Sequence, residues 1–163
     1  VLLERGVIDE SGRLLPPQDA PEDMRRYLTE DGQGNGVFHL TKAVSLTARD
    51  VRNLQLAKAA VVGGIRVLLE QRGVTADDIA SVELAGGFGN YLSPENVVRI
   101  GMLPRACLSK IRPLGNTALA GASMLALDGE NWRKLAEIPE KCRYLELSGR
   151  DDFSRAFTDS LTF

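Results

Sequence analysis

Three glycines within four positions, Gly86, Gly87 and Gly89 of "SVELAGGFGNYL", close a short apolar run. Bare backbone at the end of a strand serves a turn that needs positive φ, or a ligand that must come closer than a Cβ allows. A second turn of the same kind, Leu114-Gly115-Asn116-Thr117, precedes another helix-forming stretch. Turns that lead into a helix favour anions, because the first helical amides and the helix dipole both attract negative charge. The chemistry on offer is recognition by backbone, and no catalytic side chain is nominated. Two phosphate fingerprints fail here. Neither Tyr91 nor Leu92 is the glycine that G-x-G-x-x-G requires, and no Gly-Lys-Ser/Thr follows to make a P-loop. The competing reading is that the glycines only make a tight strand-to-helix turn.

Other reactive residues are few. Cys107 and Cys142 are the 2 cysteines of the chain and have no neighbouring His or Cys, so they read as reduced thiols without metal-ligand spacing. The single histidine, His39, sits in "VFHLTKAV" and reads as a strand-face residue. No metal site is expected. A net charge of −2, with basic residues scattered singly or in pairs, gives no field for nucleic acid. The longest uncharged apolar run, from Ala59 to Ile65, is far short of the roughly 20 residues that span a bilayer. No signal-peptide pattern opens the chain, and a cytoplasmic location is expected. The sequence starts at Val1 without a Met, which reads as a segment of something longer.

The elements that must position the turns follow from periodicity. Thr47-Ala48-Arg49-Asp50 has the form of a capped helix start, and Val51, Leu54, Val61, Ile65 and Leu68 continue it at helical spacing to a stop at Gly73. A helix over about 48 to 72 results, and its Gly63-Gly64 pair calls for a close contact, since each glycine costs roughly 1 kcal/mol against Ala. Residues 37 to 45 alternate as one strand, and Pro21 to Leu28 as a helical turn or two. Thr75 to Ile79 is a short capped turn, and Ser81 to Ala85 a strand buried on both faces, as in a parallel sheet. Ser93-Pro94-Glu95 starts a two-turn helix, residues 107 to 113 make a strand, and Asn116 caps a helix over Thr117 to Leu127. "NWRKLAEI" is a further helix, "RYLEL" a strand, and Phe153, Phe157 and Leu161 mark a last amphipathic helix. This order is α/β, with a mainly parallel sheet flanked by helices.

"TARDVRNLQLAKAAVVGGI", "LAGGFGNYL", "IGMLP" and "GNTALAGA", in this order, resemble the C-terminal domain of ferredoxin-linked ATPases that reductively activate corrinoid proteins. That family belongs to the actin-like ATPases, the acetate and sugar kinase, heat-shock and actin superfamily. The resemblance covers roughly residues 37 to 163 and implies an actin-like, ribonuclease H-like subdomain, with residues 1 to 36 as a loop-rich lead-in from a preceding domain. It also implies that Gly86 and Gly87 face adenosine and phosphates, that Gln55 and Lys58 reach ribose or base, and that Gly115 and Asn116 help close the cleft. For Lys58 the alternative is a solvated surface lysine.

The implied activity is reduction of an inactive Co(II) corrinoid to Co(I), driven by ATP and fed by a two-iron ferredoxin cluster. The implied cofactors of the parent protein are ATP or ADP with Mg, and that cluster. The implied partner is a corrinoid protein or corrinoid-dependent methyltransferase, with a homodimer as a candidate assembly. Two departures limit the chain itself. It lacks the four cysteines that a ferredoxin cluster needs, and it lacks the Asp-Gly-Thr phosphate motif of the first actin-like lobe. Alone it is expected neither to turn over ATP nor to transfer an electron. The alternatives are a fragment of a sugar or acyl kinase of the same superfamily, and a non-catalytic docking or dimerisation module.

Overall fold

The structure, a computed structural model, describes residues 1–87 and 89–163, with the backbone alone at Asn90. Phe88, inside the glycine-rich stretch, lies outside the described residues. The chain divides into two compact units, one of Val1–Val67 with Asp151–Phe163, the other of Leu68–Arg150.

The first unit is built around α1 (Ala48–Arg72), whose last residues run into the second. Thr47 starts the helix as expected. Its backbone N–H donates to Asp50 Oδ2 at 2.9 Å and its hydroxyl donates to the same oxygen at 2.6 Å, while Asp50 N–H donates back to Thr47 Oγ1 at 3.3 Å. These bonds satisfy amides that have no partner inside the helix. The far end closes at Gly73, φ 64°, whose N–H donates to Glu70 O while Val74 N–H reaches Leu69 O. Only a left-handed residue makes that pair of bonds without strain.

Ahead of α1, β1 (Leu28–Glu30), β2 (Gly36–His39) and β3 (Ser45–Thr47) pair antiparallel in sequence order, with Phe38 opposite both Leu28 and Leu46. The single strand expected over 37 to 45 is therefore two strands and a turn. Thr41 breaks it: its Oγ1 accepts from Ala43 N–H and Val44 N–H, and Leu40 N–H bonds Val44 O. The turn expected near Pro21 is a 3₁₀ helix, Glu22–Tyr27. Leu28, Phe38 and Val51 join Val7, Ile8, Leu14 and Ala20 in one buried cluster. Truncating a fully buried aliphatic such as Leu14 costs about 2–5 kcal/mol. After the second unit the chain returns as α5 (Asp151–Asp159), which ends before Leu161. The Phe153 ring, 6.2 Å from that of Phe157, lies over Gly63, where an added Cβ would be 3.0 Å from Phe153 Cε2 and 3.3 Å from Phe157 N. This is the close contact that the glycine pair called for.

The second unit holds β4 (Val82–Ala85) and β5 (Ile111–Gly115), paired parallel. The register slips between Leu84 and Ala85, opposite Pro113 and Gly115. Pro113 has no N–H to give the ladder, and a bulge is where a sheet tolerates that. Among the described residues parallel pairing is confined to these two strands, and neither has a buried residue, so β4 is half-exposed rather than covered on both faces. The stretch expected as a strand over 107 to 113 starts as a 3₁₀ helix, Arg105–Lys110, and becomes β5 only at Ile111.

Between the strands, α2 (Pro94–Arg99) begins at Ser93, whose hydroxyl accepts from Asn96 N–H at 3.3 Å. After β5 come α3 (Thr117–Leu127) and α4 (Glu130–Lys141). "RYLEL" is not a strand: Tyr144 OH donates to Glu146 at 2.5 Å, Ser148 N–H donates to the same carboxylate at 2.8 Å, and no strand pairs with it among the described residues. Among the described residues, the buried hydrophobics of the unit are Val97, Leu103 and Cys107.

Candidate functional site

The two glycine turns stand side by side at the carboxyl ends of β4 and β5. Gly86 (φ 99°) and Gly115 (φ 69°) both occupy the left-handed region, and Gly86 N–H donates to Gly115 O at 2.7 Å. A side chain at either position would be strained by its φ alone. Gly87 has no positive φ, so its backbone does not demand glycine. A Cβ built at Gly86, Gly87 or Gly115 meets no atom within 4 Å among the described residues. Among the described residues nothing beyond their chain neighbours packs on these glycines, which lie at the ends of parallel strands, where α/β sheets bind ligands.

Asn116 links β5 to α3. Its Oδ1 accepts from Leu119 N–H at 3.0 Å, which fixes the first turn of the helix and the direction of its amides. Gly86, Gly87, Gly115 and Asn116 offer amides and carbonyls and no carboxylate, so they suit recognition of a nucleotide and not coordination of Mg²⁺. An iron–sulfur cluster does not fit this chain, because four thiolates are needed and the cysteines are one buried (Cys107) and one exposed (Cys142). Among the described residues no cluster of three or more His, Cys, Asp or Glu is placed to hold a metal, and no helix is long and apolar enough to cross a membrane.

Gln55 and Lys58 belong to the other unit. They share one face of α1, as their spacing requires, and both are only 3% exposed. Gln55 Nε2 donates to Ser11 O at 2.7 Å beside Gly12, where any Cβ would collide with the Gln55 amide. Lys58 Nζ donates to Thr162 O and lies 5.2 Å from the centre of the Phe163 ring. Burial, with a smaller contribution from Arg66, holds the Lys58 pKa below its ordinary value. Both side chains are thus engaged with backbone of their own unit, and the solvated lysine considered for position 58 is not what the structure shows. Ser11 and Thr162 gave no signal in sequence, since they lie 44 and 104 positions from the residues they hold.

A separate hollow of about 580 Å³ in the second unit is lined by Arg72, Lys141, Arg143 and Tyr144, among others. Arg72 and Lys141 stand at the C-terminal ends of α1 and α4, where cations complement the helix dipoles. None of the turn residues lines it.

Helices around a small parallel sheet with paired glycine turns define an actin-like α/β domain. A family model described as the C-terminal domain of RACo, the ASKHA domain, matches residues 1–163, and the chain belongs to that family. It is 34% identical over 122 residues to the corrinoid activation enzyme RamQ of Eubacterium limosum, a match covering 75% of this chain and 21% of that protein. It is 26% identical over 131 residues to the Co(II) methylated amine-specific corrinoid protein reductase of Methanosarcina barkeri, covering 79% of this chain and 24% of the relative. A solved structure of a reductive activator for corrinoid, iron-sulfur protein matches with a TM-score of 0.87 at 31% identity, over 99% of this chain and 26% of that one. The chain therefore spans between a fifth and about a quarter of the length of these relatives.

Proposed function

We propose that the chain is the nucleotide-binding C-terminal part of an ATP-dependent reductive activator of corrinoid proteins, which returns Co(II) to Co(I). The observation that carries this reading is the pair of glycine turns tied together at the ends of β4 and β5, where an added Cβ meets no atom of the described residues within 4 Å. The names of the relatives, which are activators and reductases of corrinoid proteins, support the substrate class.

In this reading Gly86 and Gly87 let adenosine and phosphate lie against bare backbone, and the Gly86–Gly115 bond keeps the two turns in step. Asn116 aims the amide end of α3 toward the anionic group. Bound ATP would supply the free energy for an uphill electron transfer from an iron–sulfur domain elsewhere in the same protein. Gln55 and Lys58 hold Ser11 and Thr162 and shape the first unit. The partner is a corrinoid protein or corrinoid-dependent methyltransferase in the cytoplasm, and this part alone is inactive.

Gly87 gives the cleanest test, because neither its φ nor its surroundings resist a side chain. In the intact protein, Gly87→Ala and Gly87→Val should fold normally. Calorimetry with ATP and ADP should show affinity falling at least tenfold for valine, about 1.4 kcal/mol, with alanine between valine and wild type. A folded Gly87→Val protein that binds ATP like wild type would refute the placement.

A further inference from the structure

The hollow of about 580 Å³ beside the ends of α1 and α4 gathers charge that the fold itself does not use. Its wall carries three cations, Arg72, Lys141 and Arg143, and no Asp or Glu is among the described residues that line it. Lys141 is matched by Glu137, 3.2 Å away on the same helix. Arg72 and Arg143 have no hydrogen-bond or ion-pair partner among the described residues. The C-terminal ends of the two helices oppose an anion with about half a negative charge each, and two free guanidiniums outweigh that. Leu68, Tyr144 and Leu145 complete the wall. The Tyr144 hydroxyl is taken up by Glu146 at 2.5 Å, so its ring is what the hollow is offered. All of these lining residues fall within Leu68–Arg150, so one unit forms the whole hollow.

We propose that this hollow binds a small organic phosphate, a phosphoryl dianion on an aliphatic or aromatic body, at a site separate from the glycine turns. Three observations select that chemistry. A phosphate monoester carries about −1.5 to −2 at neutral pH, which answers the two unpaired guanidiniums, and each planar guanidinium can meet phosphate oxygens through two parallel N–H bonds. Leu68, Leu145 and the Tyr144 ring give the ester body an apolar contact that a bare ion would leave unused. The volume falls within the roughly 300–1,000 Å³ of small-molecule sites, and a concave wall suits a metabolite rather than the face of a protein. None of the turn residues lines the hollow, so binding here does not rest on nucleotide binding there.

The test treats the intact protein with phenylglyoxal, which modifies accessible guanidiniums, and follows each arginine by peptide mass spectrometry with phenyl phosphate, inorganic phosphate or benzoate present. Phenyl phosphate at about ten times its Kd should slow modification of Arg72 and Arg143 about tenfold. Arg52, an exposed arginine of the first unit, should be unaffected. Inorganic phosphate and benzoate should protect far less, because one lacks the apolar body and the other the second charge. In Arg143→Gln, Arg72 should stay reactive but lose its protection, and protection retained there would overturn a site shared by the two. Equal protection of Arg52 would overturn the proposal by showing non-specific ion pairing, and so would equal protection by inorganic phosphate or benzoate, or none by phenyl phosphate. Arg72 and Arg143 resisting the reagent before any ligand is added would also overturn it, because the hollow would then be filled in the intact protein.

Discussion

Glycine does opposite work at three positions of the first unit and four of the second. At the three in the first, its missing side chain is filled by neighbours: an added Cβ would be 2.1 Å from Leu15 O at Gly36, 2.1 Å from Gln55 Nε2 at Gly12 and 3.0 Å from Phe153 at Gly63. In the second, the same construction at Gly86, Gly87, Gly115 and Gly121 meets nothing within 4 Å. The burial pattern agrees, because the seven-residue core cluster is in the first unit while, among the described residues, Val97, Leu103 and Cys107 are the buried hydrophobics of the second. Close-packed glycine is a folding requirement, whereas open glycine at the end of a strand is a surface held ready for something else. The contrast separates residues whose substitution should cost stability from residues whose substitution should cost binding.

The largest break in that contrast is Gly36→Ala. Its Cβ would run into the Leu15 carbonyl, which is backbone and cannot rotate away. Overpacking of this kind costs about 3 kcal/mol, so hydrogen exchange in the intact protein should show protection at Leu15 and Gly36 falling about a hundredfold. Unchanged protection there would remove the argument. Gly63→Ala should cost less, about 1 kcal/mol. A gain of roughly 1 kcal/mol in helix propensity is set against a contact near 3.0 Å with the Phe153 ring and 3.3 Å with Phe157 N. Phe153→Leu in the same chain should restore most of the loss, and a double variant no better than the single would show that the ring is not what the Cβ meets.

The smallest effect should be common to both units. Asp50 and Asp78 close matching capping boxes, and hydrogen bonds from Thr47 and Thr75 hold both carboxyl pKa values below the ordinary one. A carboxylate with a lowered folded pKa stabilises the fold above its unfolded pKa, about 3.9, and loses that contribution as pH falls through the folded value. Denaturant midpoints should therefore be flat above about pH 5 and decline below about pH 4. Asp50→Asn with Asp78→Asn should make that decline shallower. An acid slope identical to wild type would mean that other carboxylates carry it.

How much was legible in sequence tracks how local each signal is. α1 runs over the span expected, because Thr47, Asp50 and Gly73 fix its ends through bonds a few residues long. Ser93 and Asn116 likewise start α2 and α3 where the capping rule puts them. The break within 37 to 45 is silent in sequence because Thr41 makes its turn through a hydroxyl, without Gly, Pro, Asn or Asp to announce it. "RYLEL" has strand composition, but strand propensity is a fit to a neighbouring strand, which is not found there. The glycine turns stand out in sequence because three glycines crowd into four positions. The burial of Gln55 and Lys58 does not, since it depends on Ser11 and Thr162 arriving from far along the chain.

The contact between Gly63 and α5 also fixes an order of assembly. The first unit is interrupted at Val67 and resumes only at Asp151, so the residues that cover Gly63 emerge from the ribosome after the whole of the second unit. At translation rates of about 5–20 residues per second, the apolar face of α1 around Gly63 waits several seconds for Phe153 and Phe157. The second unit, continuous from Leu68 to Arg150, can complete its local contacts during that interval. A newly made chain thus carries an open seam on α1 that closes last, and that seam is where a chaperone would be needed.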